Sequence, residues 1–165
     1  MKNIINIAVV GLGQVGIYLL NELNTKKKDI ELKTGKKINV VAISAKNINK
    51  KRQFKINKKL FFKKPLDIFA NKKVDILFEA IGLSGGISKK VVETALKKKI
   101  HVITPNKALI SKHGNNLAKI AEINNVNLEF EASVAGGIPI LRSIKEGLAT
   151  NKISKVYGIL NGTSN

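Results

Sequence analysis

Ile4-Ile5-Asn6-Ile7-Ala8-Val9-Val10-Gly11-Leu12-Gly13-Gln14-Val15-Gly16 is the stretch on which the fold turns. Its first seven residues are apolar except for Asn6, rich in β-branched side chains and stopped by a glycine, which reads as a strand. From position 13 to 23 the apolar residues Val15, Leu19, Leu20 and Leu23 recur at helical spacing. A strand that passes through G-x-G-x-x-G into a helix matches the dinucleotide fingerprint. Gly11 permits the tight turn, Gly13 lets backbone N–H groups approach a pyrophosphate, and Gly16 lets the helix pack close to the strand. The phosphates would sit at the positive end of the helix. Taken alone, the loop also reads as a glycine-rich turn without a ligand. Its place between a strand and a helix, at the head of a βαβ series, favours the fingerprint.

Outward from this stretch, apolar runs alternate with helical ones. Residues 38–44, 74–82, 100–104, 126–134 and 153–160 read as further strands, and 88–98, 109–124 and 139–149 as helices. Segment 24–37 reads as a loop or frayed helix end. Segment 46–64 reads as a basic, solvated surface stretch with some helix. Strands separated by helices imply right-handed βαβ units. The expected fold is therefore α/β, a doubly wound parallel sheet of the Rossmann type. Residues 1–150 are assigned to this dinucleotide-binding domain. Residues 151–165 end on a glycine-containing, site-like loop and are read as the start of a further domain that is cut short.

Composition narrows the function. The chain has 165 residues, 44% of them hydrophobic, and a net charge of +19. It has no cysteine, which excludes disulfides, thiolate-held metals and thiol nucleophiles, and only two histidines, His101 and His113. No apolar run approaches the roughly 20 residues of a membrane span, and the N-terminus lacks a secretory leader, so the expected location is the cytoplasm. The positive charge suggests nucleic acid at first sight. However, 28 of the 30 basic residues are lysine, and Lys, Asn and Ile together supply 69 residues. Their usual codons are A/T-rich, so base bias accounts for the excess. A reader of DNA bases would be expected to use arginine. No nucleic-acid or membrane partner is expected.

Candidate site residues follow from where strands end. An acid at the end of the second strand would hydrogen-bond a ribose 2′-hydroxyl. The sequence has Ile43-Ser44-Ala45-Lys46-Asn47 there, with no acid. Ser44 and Lys46 could accept a 2′-phosphate, which favours NADP(H) over NAD(H), with dual use open. Lys107, in Thr104-Pro105-Asn106-Lys107, falls at the start of a helix whose dipole disfavours a cation. It reads either as a functional lysine or as one more surface lysine. Glu131 lies near the carboxyl end of an apolar run and before a loop of small residues. With backbone carbonyls it could hold a hard cation. Alternatively it could accept hydrogen bonds from the Gly136 and Gly137 amides and hold the loop shut.

GLGQVG at 11–16, EAIG at 79–82, TPNKALI at 104–110, HG at 113–114, FEASVAGGIPI at 130–140 and GILNGTSN at 158–165 resemble homoserine dehydrogenase in order, spacing and wording. Pro105 and Ser164 are small departures. The resemblance implies reduction of aspartate 4-semialdehyde to homoserine with NADPH or NADH, in threonine and methionine biosynthesis. It implies cofactor contacts from Gly11, Leu12, Gly13, Gln14, Val15 and Gly16, joined by Ser44, Lys46, Gly82 and Lys107. Lys107 would lie between nicotinamide and substrate as the catalytic lysine. Glu131 with the backbone oxygens of Val134, Gly136 and Ile138 would form a monovalent-cation (sodium) site. Gly162 and Thr163 would touch the substrate. The family continues into a substrate and dimerisation domain with further catalytic residues. This chain is thus expected to be the cofactor half of a homodimeric or larger enzyme, binding nucleotide with negligible turnover alone. A related semialdehyde dehydrogenase and a non-catalytic nucleotide-sensing module are the alternatives.

Overall fold

A computed structural model describes residues 3–158. The chain runs β1 (Ile4–Val10), α1 (Gln14–Thr25), α2 (Lys27–Thr34), β2 (Lys37–Ser44), β3 (Phe61–Phe62), α3 (Ile68–Asn71), β4 (Ile76–Glu79), α4 (Ile87–Lys97), β5 (His101–Ile103), α5 (Lys107–Ile123), β6 (Leu128–Glu129), α6 (Glu131–Val134) and α7 (Ile140–Arg142). The strands form one six-stranded sheet in the order β3-β2-β1-β4-β5-β6, with every pairing parallel. This is the doubly wound α/β sheet that the alternation of strands and helices predicts.

The two faces of the sheet can be followed along β1. Ala8 and Val10 point into one apolar cluster with Leu77, Val91, Val92, Leu96, Val102, Leu109 and Leu117, contributed by β4, α4, β5 and α5. Ile7 and Val9 point into the other, with Leu12, Ile43, Leu19, Leu20 and Leu23. Successive side chains of a strand face opposite ways, so a central strand buried on both faces reads as a continuous apolar run. Burial of both faces fixes the register: a one-residue slip would exchange the two sets.

Several expected elements are corrected. Segment 24–37 holds a helix, α2, ended by Gly35 in a left-handed conformation (φ 65°). Its mean composition is polar because it buries no residue. The basic stretch 46–64 ends in a short 3₁₀ turn (Lys58–Leu60) and then the edge strand β3. Two phenylalanines are too few to show an alternation in the sequence. The strand expected over 126–134 is only Leu128–Glu129, and Glu131 begins a helical turn instead. The helix expected over 139–149 is α7 followed by a π-helical turn, Ser143–Gly147. Of the last expected strand, 153–160, residues 153–158 form no strand and the rest lie outside the described residues.

Candidate functional site

Because all six strands are parallel, their carboxyl ends share one edge of the sheet, and the loops that leave β1, β2, β4 and β5 meet there. Ligands of open α/β sheets bind at this edge.

The glycine loop is held by backbone on two sides. Gly11 N–H donates to the Ser44 carbonyl at 2.9 Å, and Ala80 N–H donates to the Val10 carbonyl at 2.7 Å. Gly11 has φ 97°, and a Cβ there would run into the backbone of Ala80 and Ile81. At Gly16 a Cβ would meet the carbonyl oxygen of Gly11. Gly13 is the N-cap of α1, makes no side-chain cap, and opens onto free space. The first-turn amides of α1 have no carbonyl one turn earlier. An uncapped, glycine-flanked helix start of this kind fits a pyrophosphate. Leu12 is buried, whereas Gln14 and Val15 are exposed on the outer side of the helix start.

Beside this loop opens a cleft of about 750 Å³, walled by Leu12 to Val15 with Tyr18 and Glu22 of α1 on one side and by Lys50, Lys51, Arg52 and Gln53 on the other. The Arg52 guanidinium straps the two walls together. Its Nε donates to the Leu12 carbonyl at 3.2 Å. Its Nη atoms donate to the carbonyls of Ile48, Lys50 and Asn47 at 2.9, 2.9 and 2.6 Å. Ser44 is buried at the end of β2, and Lys46 is exposed two residues on.

At the ends of β4 and β5 lies a buried polar cluster. Glu79 has no exposed surface. Its Oε1 accepts from Ile81 N–H at 2.8 Å, and its Oε2 accepts from the Thr104 hydroxyl at 2.7 Å. Asn106 Nδ2 lies 3.4 Å from both carboxylate oxygens and donates to the Leu83 carbonyl at 2.9 Å. Asn106 Oδ1 in turn accepts from Leu109 N–H at 3.1 Å and caps α5. Lys107 follows immediately as the first residue of α5. It is exposed, and none of the ion pairs among the described residues engages it. Gly82 is exposed in the loop after β4.

Glu131 holds a loop shut, but through other amides than Gly136 and Gly137. Its Oε1 accepts from Leu141 N–H at 2.9 Å and its Oε2 from Arg142 N–H at 3.0 Å. The carbonyl of Ile138 accepts from Ile140 N–H at 2.8 Å. Val134, Gly136 and Ile138 are exposed. Among the described residues no three His, Asp or Glu side chains gather as a metal cluster. Gly162 and Thr163 lie outside the described residues.

The edge therefore brings together the glycine loop, Gly82 and Lys107, with Glu131 one strand further on. Sequence reasoning missed Glu79, Thr104, Asn106 and Arg52. The signals were present: a carboxylate closing an apolar strand, and an asparagine immediately before a helix. Arg52 carried no local signal within a lysine-rich stretch.

Residues 11–131 match the family model for the NAD-binding domain of homoserine dehydrogenase. The chain belongs to the homoserine dehydrogenase family. It is 39% identical over 161 residues to the homoserine dehydrogenase of Neisseria gonorrhoeae and 35% identical over 163 residues to that of Bacillus subtilis; each alignment covers 98% of this chain and 37% of the relative. The homoserine dehydrogenase of Thiobacillus denitrificans superposes with a TM-score of 0.77 at 32% identity, covering 92% of this chain and 35% of that one. The Staphylococcus aureus enzyme at pH 6.0 gives 0.72 at 39% identity, covering 85% and 36%. The chain thus spans little more than a third of the length of these homoserine dehydrogenases, and that third is the nicotinamide-dinucleotide-binding part.

Proposed function

We propose that this chain is the cofactor-binding part of an enzyme that interconverts aspartate 4-semialdehyde and homoserine. The observation that carries the proposal is the meeting, on one sheet edge, of the uncapped glycine-loop start of α1 and the exposed Lys107 at the start of α5. When bound, a nicotinamide dinucleotide supplies or accepts the hydride. The chain's own residues bind and position. First-turn amides of α1 hold the pyrophosphate. The Lys107 ammonium donates a hydrogen bond to the substrate oxygen as negative charge develops on it, and holds a proton at Nζ for transfer to it.

The cofactor is NADP(H) in preference to NAD(H). The support is the lack of an acid at the end of β2, with exposed Lys46 beyond it and Lys50 and Lys51 on the far wall of the cleft. Buried Ser44 offers less surface than Lys46. A sodium ion on Glu131 and the carbonyls of Val134, Gly136 and Ile138 belongs to the same reading. It requires the carboxylate to share or exchange its bonds to Leu141 and Arg142. Gly162 and Thr163 remain the proposed substrate contacts. A homodimeric or larger assembly in the cytoplasm is likewise proposed. No helix among the described residues is long and apolar enough to cross a membrane.

The test is homoserine-dependent reduction of NADP⁺ by the protein translated from the whole reading frame, with NAD⁺ in parallel. Activity that falls by about 10²–10³ in Lys107→Ala, the scale of losing one donor to a developing oxyanion, supports the proposal. Nucleotide binding without turnover on either cofactor refutes the dehydrogenase reading and favours a nucleotide-sensing module.

A further inference from the structure

The glycine loop, the loop after β4 and the start of α5 come from three different parts of the chain, yet one side chain touches or fixes all of them. Glu79 is wholly buried at the end of β4. Through Oε1 it pins the Ile81 amide, and Ala80 and Ile81 are the backbone against which Gly11 packs with no room for a Cβ. Through Oε2 it takes the Thr104 hydroxyl, whose oxygen also accepts from Asn106 N–H at 3.1 Å. Asn106 reaches the same carboxylate, closes onto the Leu83 carbonyl and caps the helix that Lys107 begins.

Every donor to this carboxylate is neutral: a backbone amide, a hydroxyl and a carboxamide. A buried carboxylate without a cationic partner is costly unless its oxygens are hydrogen-bonded. Charge-assisted bonds to such an acceptor are shorter and stronger than neutral ones. A shared acceptor therefore couples its donors, because moving any one of them leaves buried charge less satisfied. A role in packing alone would be served at lower cost by an apolar residue of similar volume, as Leu77 serves two positions earlier on the same strand.

We propose that Glu79 is the positioning residue of this site. It locks the loops after β4 and β5 to each other and to the glycine loop, and so holds Gly82 and Lys107 in fixed relation to the pyrophosphate end. The inference rests on the cofactor reading above for its ligand readout and on the structure alone for the locking. It gives Glu79 no contact with the reacting atoms.

Two measurements on this chain test it. The first compares affinity for NADPH with affinity for 2′-phospho-ADP-ribose, which lacks the nicotinamide. Glu79→Gln and Thr104→Val are each expected to weaken NADPH about tenfold, the scale of one hydrogen bond to a charged group, while 2′-phospho-ADP-ribose changes less than about twofold. Thr104→Ser, which keeps the hydroxyl, restores NADPH affinity. The second is amide hydrogen exchange without ligand. Thr104→Val is expected to speed exchange of Ile81 N–H, which donates to Glu79 and not to Thr104, and of Leu109 N–H, while β1 amides are unchanged. Equal loss of both nucleotides overturns the positioning role and leaves a general scaffold residue. An Ile81 amide indifferent to Thr104→Val overturns the locking. A wild-type chain that binds neither nucleotide overturns the cofactor reading, and the exchange result then decides the locking by itself.

Discussion

Two glycines of the fingerprint, three positions apart, are predicted to respond oppositely to the same substitution. In Gly16→Ala the new methyl group meets the Gly11 carbonyl oxygen, which is backbone and held in place by the turn. Helix α1 must shift away from β1. Overpacking of this kind costs about 1–3 kcal/mol. For a domain of this size each kcal/mol lowers Tm by about 2–4 °C, so the melting temperature should fall by about 2–12 °C. Gly13→Ala places its methyl group in open space, at φ −75° and ψ −164°, a conformation any residue adopts. Alanine is a poorer N-cap than glycine, by a few tenths to about 1 kcal/mol. The reduced freedom of the unfolded chain returns about 0.4–1 kcal/mol. The net change in Tm should therefore be within about 3 °C. The methyl group nevertheless stands where a pyrophosphate must approach the backbone, so NADPH affinity should fall by at least about tenfold, or 1.4 kcal/mol. Thermal unfolding and quenching or enhancement of NADPH fluorescence measure the two quantities on the same samples. A Gly13→Ala chain that binds as tightly as wild type would refute the assignment of the loop to the phosphates. A Gly16→Ala chain with unchanged Tm would refute the packing argument.

Other expected outcomes concern stability. Lys99 and Asn125 follow α4 and α5 with φ 59° and 53°, the left-handed region that favours glycine. Lys99→Gly should raise Tm, because relief of about 1–2 kcal/mol exceeds the entropic cost of about 0.5–1 kcal/mol. Asn125→Gly should gain less, since asparagine tolerates that conformation; differential scanning calorimetry would show the order. Leu77→Ala removes a fully buried side chain from β4 and should cost about 2–5 kcal/mol in urea unfolding. Glu131→Ala removes the acceptor of two amides, so exchange at Leu141 and Arg142 should quicken while the sheet core is unaffected.

Where the sequence was legible, one physical pattern dominated. β1, β2, β4, α1, α4 and α5 each carry a face that must be buried, and that need writes a period into the residues. The elements that were misread lack such a face. α2 buries nothing, so its polar residues resemble a loop. β3 and β6 are two residues long, too short for any period. Glu131 follows β6 directly, and the apolar residues beyond it look like a continuing strand until the chain turns helical. The site divides in the same way. Gly11, Gly13, Gly16 and Lys107 were legible because each obeys or defies a local rule at a strand end. Glu79 and Asn106 carried local marks, a carboxylate closing an apolar strand and an asparagine before a helix, but what they and Thr104 serve is set by pairing across 25 and 27 residues of chain.

Lys107 stands in the first turn of α5, where the helix dipole opposes a positive charge by about 0.3–1 kcal/mol, and that turn holds no acidic residue to offset it. The one fully buried carboxylate among the described residues, Glu79 on β4, accepts from neutral donors and reaches the helix through Asn106. Were Glu79 paired directly with Lys107, the ammonium would be drawn inward and neutralised. Routing the carboxylate through Thr104 and Asn106 fixes the helix start while leaving the lysine exposed and outside the ion pairs of the described residues. An arrangement of this kind tolerates loss of the lysine's charge far better than loss of the carboxylate. Lys107→Ala should therefore leave Tm unchanged or slightly raised, whereas Glu79→Ala, which removes the acceptor of the buried Thr104 hydroxyl and the half-buried Ile81 amide, should lower it by at least about 4 °C, from a loss of about 2 kcal/mol or more. Equal destabilisation by the two substitutions in thermal unfolding would show that Lys107 is held by the fold after all, and that its exposure has no functional meaning.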